Sequence, residues 1–143
     1  MTAAEQEGSH DRGLTHVALP VTDLERSIDF YGRFAGLKVV HRRAGVAWLS
    51  DRTRPFVIVL AEQPRVEHPL RPFAHLGVGC ASREELDRLA AQARAEGRLV
   101  GGPEDSGPPV GYWAFLADPD GHTLELSFGQ EVGLTVEAAG PPG

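Results

Sequence analysis

Two stretches of this chain place apolar residues three and four positions apart, and each is flanked by short runs with strand character. In the first, Leu24, Ile28, Tyr31 and Phe34 form one helical face. Thr22 stands where an N-cap belongs, with Glu25 three residues on as a capping box, and Gly36 stops the helix. A short strand at 16–19 precedes this helix. Strands at 37–41, 46–50 and 55–61 follow, the last two separated by the polar turn 51–54. In the second stretch Leu86, Leu89, Ala90 and Ala93 form the inner face, Ser82 and Glu85 the capping box, and Gly97 the stop. Strands are predicted at 75–80, 98–100, 112–116 and 122–128, with a Gly/Pro-rich loop over 101–111.

The order is therefore β-α-β-β-β, twice. Such a repeat predicts an α+β fold of two βαβββ modules, 13–66 and 72–133, with helices outside a curved, cup-shaped mixed sheet. Residues 1–12 and 134–143 are read as tails. His16 and His75 open equivalent strands, and aligning WLSD with FLAD sets Val59, or with one residue of slack Ile58, opposite Glu125.

In DPDGHTLEL a tight turn enters an apolar strand that carries a carboxylate. Strand alternation gives Thr123, Glu125 and Ser127 one face and Leu124, Leu126 and Phe128 the other. The apolar set belongs against the helices, so Glu125 points into the cup. A pseudo-twofold aims His16 and His75 at the same cavity. Two imidazoles and a carboxylate with open positions suit a divalent cation, and a cation offsets the cost of burying Glu125. The alternative is a metal-free wet pocket in which Glu125 bonds to its neighbours.

His10 falls in the tail, while His41 and His68 are expected in solvent. His122 has the wrong parity for the cup, and Cys80 reads as a small apolar filler. The single cysteine rules out an intrachain disulfide and fits a reducing cytoplasm. A length of 143 residues suits one domain, and a net charge of −6 argues against a nucleic-acid partner. No apolar run reaches the roughly 20 residues of a membrane span.

The segments THVALPVTDLERSIDFYGRFAGL, AHLGVGCASREELDRLAAQARAEG and YWAFLADPDGHTLELS resemble the vicinal oxygen chelate superfamily, which includes glyoxalase I, extradiol dioxygenases, fosfomycin-resistance transferases and bleomycin-resistance proteins. The resemblance covers about residues 13–130 and implies metal ligation by His16, His75 and Glu125. It also implies a small-molecule substrate that chelates the ion, and a homodimer. The site then forms within one chain or across two swapped chains. The implied ion is Fe(II) first, otherwise Mn(II), Ni(II), Co(II) or Zn(II).

The familiar partners of those ligands differ here. Val59 stands where glyoxalase I enzymes carry a fourth ligand. Phe115 replaces a tyrosine, Val57 and Val59 occupy the strand of an extradiol acid/base histidine, and Ala18 replaces a fosfomycin-enzyme threonine. Trp48, Tyr112 and Trp113 join Val59 and Phe115 as candidate pocket walls, the tryptophans serving equally well as core. The expected function is a metal-dependent, narrowly dioxygenase-like enzyme. A lyase, isomerase or antibiotic-modifying transferase is one alternative, and a metal-free protein that sequesters an antibiotic or metabolite is the other.

Overall fold

The computed structural model describes residues 12–141. The readings placed on residues 1–11, including His10, lie outside them. The first module comprises β1 (His16–Val21), α1 (Leu24–Ala35), β2 (Lys38–Arg43), β3 (Val46–Ser50) and β4 (Val57–Glu62). The second comprises β5 (His75–Gly79), α2 (Arg83–Ala95), β6 (Leu99–Asp105), β7 (Tyr112–Ala117) and β8 (Thr123–Phe128). A further helix, α3 (Val132–Ala138), occupies part of the stretch read as a tail, and none of its residues is buried.

Each module forms its own four-stranded mixed sheet, ordered β1-β4-β3-β2 and β5-β8-β7-β6. The outer pairs β1/β4 and β5/β8 are parallel, because each is joined through the helix and two further strands, and the remaining pairs are antiparallel. The registers match: Ala18 lies beside Val59 as Gly77 lies beside Glu125. Val59, rather than Ile58, is thus the counterpart of Glu125. Trp48 pairs with Val59 as Phe115 pairs with Glu125.

One face of each sheet is covered by its helix. Leu19, Val21, Leu49, Leu60, Leu116, Leu124 and Leu126 are buried there with Phe30, Tyr31, Phe34, Leu86 and Leu89 from the helices. Phe30 meets Tyr31 edge-on at 5.1 Å and Phe34 at 5.0 Å. Each fully buried side chain of this size contributes about 1.5–3 kcal/mol. On α2 the cap is as expected, with Ser82 accepting from the Glu85 N–H at 3.1 Å. The first helix differs: Asp23 is its N-cap, accepting from the Arg26 N–H, and Thr22 is spent elsewhere. The Thr22 hydroxyl and N–H donate to Asp120, 98 residues on, at 2.6 and 3.1 Å. A carboxylate from the other module outcompetes the local box, and Asp23 is equally able to cap.

That contact belongs to a joint built on the DPDGH turn. Asp118, 2% exposed, accepts from the Tyr31 hydroxyl at 2.7 Å and from the N–H groups of Asp120 and His122. Burial and the Asp118 charge hold the Tyr31 phenol well above its ordinary range, so it remains a donor. His122, buried as its parity required, accepts from the Leu70 N–H at 3.0 Å and lies 2.8 Å from the Pro20 carbonyl. Because Nδ1 accepts, Nε2 carries the proton and donates to Pro20. Arg33 on α1 adds a two-pronged ion pair with Glu96 at the end of α2.

The sixth strand is longer than the expected 98–100 and absorbs the first half of the Gly/Pro-rich loop, with register shifts on either side of Gly101. Gly102 makes this possible. Its φ is +81°, and a Cβ there would stand 2.5 Å from the Trp113 carbonyl oxygen, so only glycine admits β7 so closely.

Candidate functional site

Alternation places Thr123, Glu125 and Ser127 on the face of β8 turned away from α2, next to His75, Gly77 and Gly79 of β5. Trp113, Phe115 and Ala117 of β7 lie opposite on the same face. Glu125 is 6% exposed. Burial raises its carboxyl above the ordinary carboxylate range, against the opposing pull of His75 and a hydrogen bond from Gln130. Neither Thr123 nor Ser127 competes with it for a role: Thr123 is buried, and the Ser127 hydroxyl donates to the Val78 carbonyl.

Gly77 leaves clearance beside the Glu125 carboxylate. A Cβ at that position would stand 3.3 Å from Glu125 Oε2, tighter than ordinary contact. The counterpart in the first module, Ala18, faces Val59 and carries its Cβ without difficulty. Reading the sequence for ligands missed Gly77. The signal was available as a glycine two residues after His75 where the other copy has alanine.

His75 and Glu125 come together, with Nε2 and Oε2 3.7 Å apart. The other ring nitrogen, Nδ1, lies 2.5 Å from the Phe73 carbonyl oxygen. A carbonyl only accepts, so Nδ1 donates, and Nε2 is the ring nitrogen turned toward the carboxylate. The two face each other across a gap too wide for a hydrogen bond. Two donors sharing one cation at about 2.1 Å stand about 3.0–3.5 Å apart, so the pair fits a divalent ion after a shift of a few tenths of an ångström. The aromatic wall stands beside it, with the His75 and Phe115 rings 5.1 Å apart and Phe115 and Trp113 4.8 Å apart.

His16 does not join them within the chain. It sits exposed at the start of β1, its Nδ1 2.8 Å from the Thr15 hydroxyl, and among the described residues no three His, Cys, Asp or Glu side chains cluster as a metal site. The reason lies in how the modules meet. Their mutual contacts run through α1, α2 and the DPDGH joint on the helix side, so the two open faces do not close on each other within one chain. Trp48 and Val59 lie on the open face of the first sheet, where Trp48 contacts His41 at 4.9 Å between ring centres. Tyr112 points the other way. Its hydroxyl donates to Asp87 of α2 and its ring lies under Arg83, so it is removed from the pocket wall. The parity of β7 decides this, since Tyr112 shares its face with Ala114 and Leu116, not with Phe115.

The family model of the Glyoxalase/Bleomycin resistance protein/Dioxygenase superfamily matches residues 13–126. The chain is 41% identical over 133 residues to an uncharacterized Pseudomonas aeruginosa protein, PA2024, covering 87% of this chain and 94% of that one. It is 30% identical to the lactoylglutathione lyase GLX1 of Arabidopsis thaliana, covering 81% of this chain and 44% of the enzyme, so it spans less than half of that relative. The solved structure of the fosfomycin resistance protein FosX from Listeria monocytogenes, complexed with Mn(II) and sulfate, superposes with a TM-score of 0.70 at 19% identity. That match covers 90% of this chain and 99% of FosX, and it is a likeness of fold.

Proposed function

Because this chain belongs to the Glyoxalase/Bleomycin resistance protein/Dioxygenase superfamily, we propose that it is a metal-dependent enzyme acting on a small, oxygen-rich molecule, with His75 and Glu125 of one subunit and His16 of a second copy as ligands. The observation that carries this reading is the Nε2 of His75, on a ring held through Nδ1 by the Phe73 carbonyl, facing the buried Glu125 carboxylate across 3.7 Å. A bound divalent ion would supply Lewis acidity and a template for two substrate oxygens.

The protein's own groups do the rest. The Phe73 carbonyl holds the His75 ring and its tautomer. Gly77 gives the carboxylate its clearance. Trp113 and Phe115 form an apolar wall beside the pair. The first module contributes the apolar strip Val57, Val59 and Trp48. Proton transfer falls to water or substrate, since Phe115 holds no proton to give. Dioxygenase-like chemistry on Fe(II) comes first, because the ligand set is two histidines and one carboxylate and the fourth position is Val59. A lyase or isomerase reaction on Mn(II), Ni(II), Co(II) or Zn(II) comes second.

The second copy is needed because His16 stands apart while both β1 and β5 are edge strands, open to pairing with another chain. The test is complementation. Protein purified without chelator should carry one ion per chain, and His16→Ala and Glu125→Gln should each abolish it. Co-expressed together, the two variants should recover one ion per mixed dimer, since one site then has all three ligands intact. Zero recovery with a metal-binding wild type would place the whole site within one chain. A wild type that binds no Fe(II), Mn(II) or Zn(II) would overturn the enzyme and leave a sequestering protein.

A further inference from the structure

We propose that the substrate carries a carboxylate-like anionic group remote from its chelating oxygens, and that Arg43 holds that group on the open face of the first module, with Trp48 as the platform beneath the linker. The inference rests on the proposed metal centre, in which a second copy supplies His16 and, with it, this face. Cross-strand pairing sets the surface. His41 lies opposite Trp48, Trp48 opposite Val59, and Arg43 opposite Val46. Arg42, between the two, turns the other way and pairs with Glu25 of α1, so His41 and Arg43 share the open face. His16 shares it too, from β1. The strands β1 and β2 are opposite edges of one sheet, so a second copy pairing through β1 leaves β2 uncovered.

Charge decides the ligand. Lys38, His41 and Arg43 are exposed, and neither Lys38 nor Arg43 forms an ion pair with a described carboxylate. This lip is cationic in a chain of net charge −6. On the second module the matching edge strand, β6, sets Glu104 opposite Trp113, and Glu104 is likewise without an ion pair among the described residues. The two lips thus carry opposite charge, and an anion belongs on the first. Charge on an edge strand also guards it against pairing with another chain. A guard needs no platform, whereas here the His41 ring lies 4.9 Å from that of half-buried Trp48, beside Val46 and Val59. An apolar floor rimmed by an unpaired guanidinium matches an apolar linker that ends in a carboxylate. Three strand spacings of about 4.8 Å separate β1 from β2, and the Arg43 side chain reaches back across part of them. The anion therefore falls on the order of 10 Å from the chelating oxygens.

The experiment is calorimetric titration of the full chain, loaded with whichever of Fe(II), Mn(II) or Zn(II) it binds. The probe is suberic acid monohydroxamate, a chelating head joined by an apolar linker to a carboxylate, and its methyl ester is the uncharged comparator. The acid should bind about tenfold more tightly than the ester. Arg43→Gln should bring the acid down to the level of the ester and leave the ester unchanged, while Arg43→Lys should keep most of the preference. Trp48→Ala should weaken both ligands, because both lay their linker on that ring. The proposal is overturned if the wild type binds acid and ester equally, as it would were Arg43 already neutralised by Glu104 of the facing copy. It is equally overturned if Arg43→Gln weakens both ligands alike. Binding of the ester with no preference for the acid sinks this inference alone. Binding of neither ligand sinks the metal centre along with it.

Discussion

The two modules share one plan and differ at a few positions that matter. Along the open face the first reads Ala18, Val59, Trp48 across neighbouring strands, and the second reads Gly77, Glu125, Phe115 at the same three places. Where the first module sets alanine beside Val59, the second sets glycine beside Glu125, and a methyl there would stand 3.3 Å from Oε2. The turns differ in the same way. Asp51 and Asp118 occupy equivalent positions before the last strand of each module, yet the first caps only its own exposed turn while the second is buried and ties the modules together. The second copy holds both the buried Glu125 and the aspartate that joins the modules.

The largest expected break comes at those two aspartates. Asp118→Ala strands the Tyr31 hydroxyl and two backbone N–H groups in the interior and should cost about 3–5 kcal/mol in denaturant unfolding. Asp51→Ala, with solvent to replace its bonds, should cost about 0.5 kcal/mol. Equal losses would show that the turns do the same work. The adjacent-strand position comes next. Gly77→Val should push the Glu125 carboxylate aside and lower metal affinity by about tenfold or more, measured by competition with a chelating dye. Ala18→Val, its mirror, should change affinity and stability by less than about 0.5 kcal/mol.

Acidity sharpens the comparison further. Burial raises the Glu125 carboxyl above its unfolded value, so the folded metal-free chain holds that proton more tightly than the unfolded chain does. Stability from this group is fully present below the ordinary carboxylate range and is lost as pH rises through the raised value. Melting curves of metal-free protein between pH 4 and 7 should show the decline, Glu125→Gln should remove that component, and saturating metal should reverse it. Cys80, the counterpart of Val21, gives the smallest effect. Its thiol is pushed up to about 11 by burial and by Glu85, so alkylation at pH 8 should be slow and accelerate about tenfold per pH unit. Cys80→Val, copying the first module, should change stability by less than about 1 kcal/mol.

Much of this was legible in the residues. The duplicated order, both helices, the parity of β8 and the orientation of His122 followed from local periodicity. Tyr112 shows where such reading fails: its place one residue before Trp113 puts it on the opposite face, a matter of strand register rather than residue type. Thr22 shows another limit, because its partner Asp120 lies 98 positions away, and no local capping pattern registers a competitor at that distance.

By itself the sequence determined the repeated β-α-β-β-β plan and the face on which Glu125 sits, because helix period and strand alternation act within one module. Only the tertiary structure decided that the modules meet through their helix sides, that His16 is left apart from the pair, and that Gly77 clears space for the carboxylate. Those outcomes rest on contacts between segments far apart in the chain, where burial and hydrogen-bond satisfaction are settled by three-dimensional neighbours.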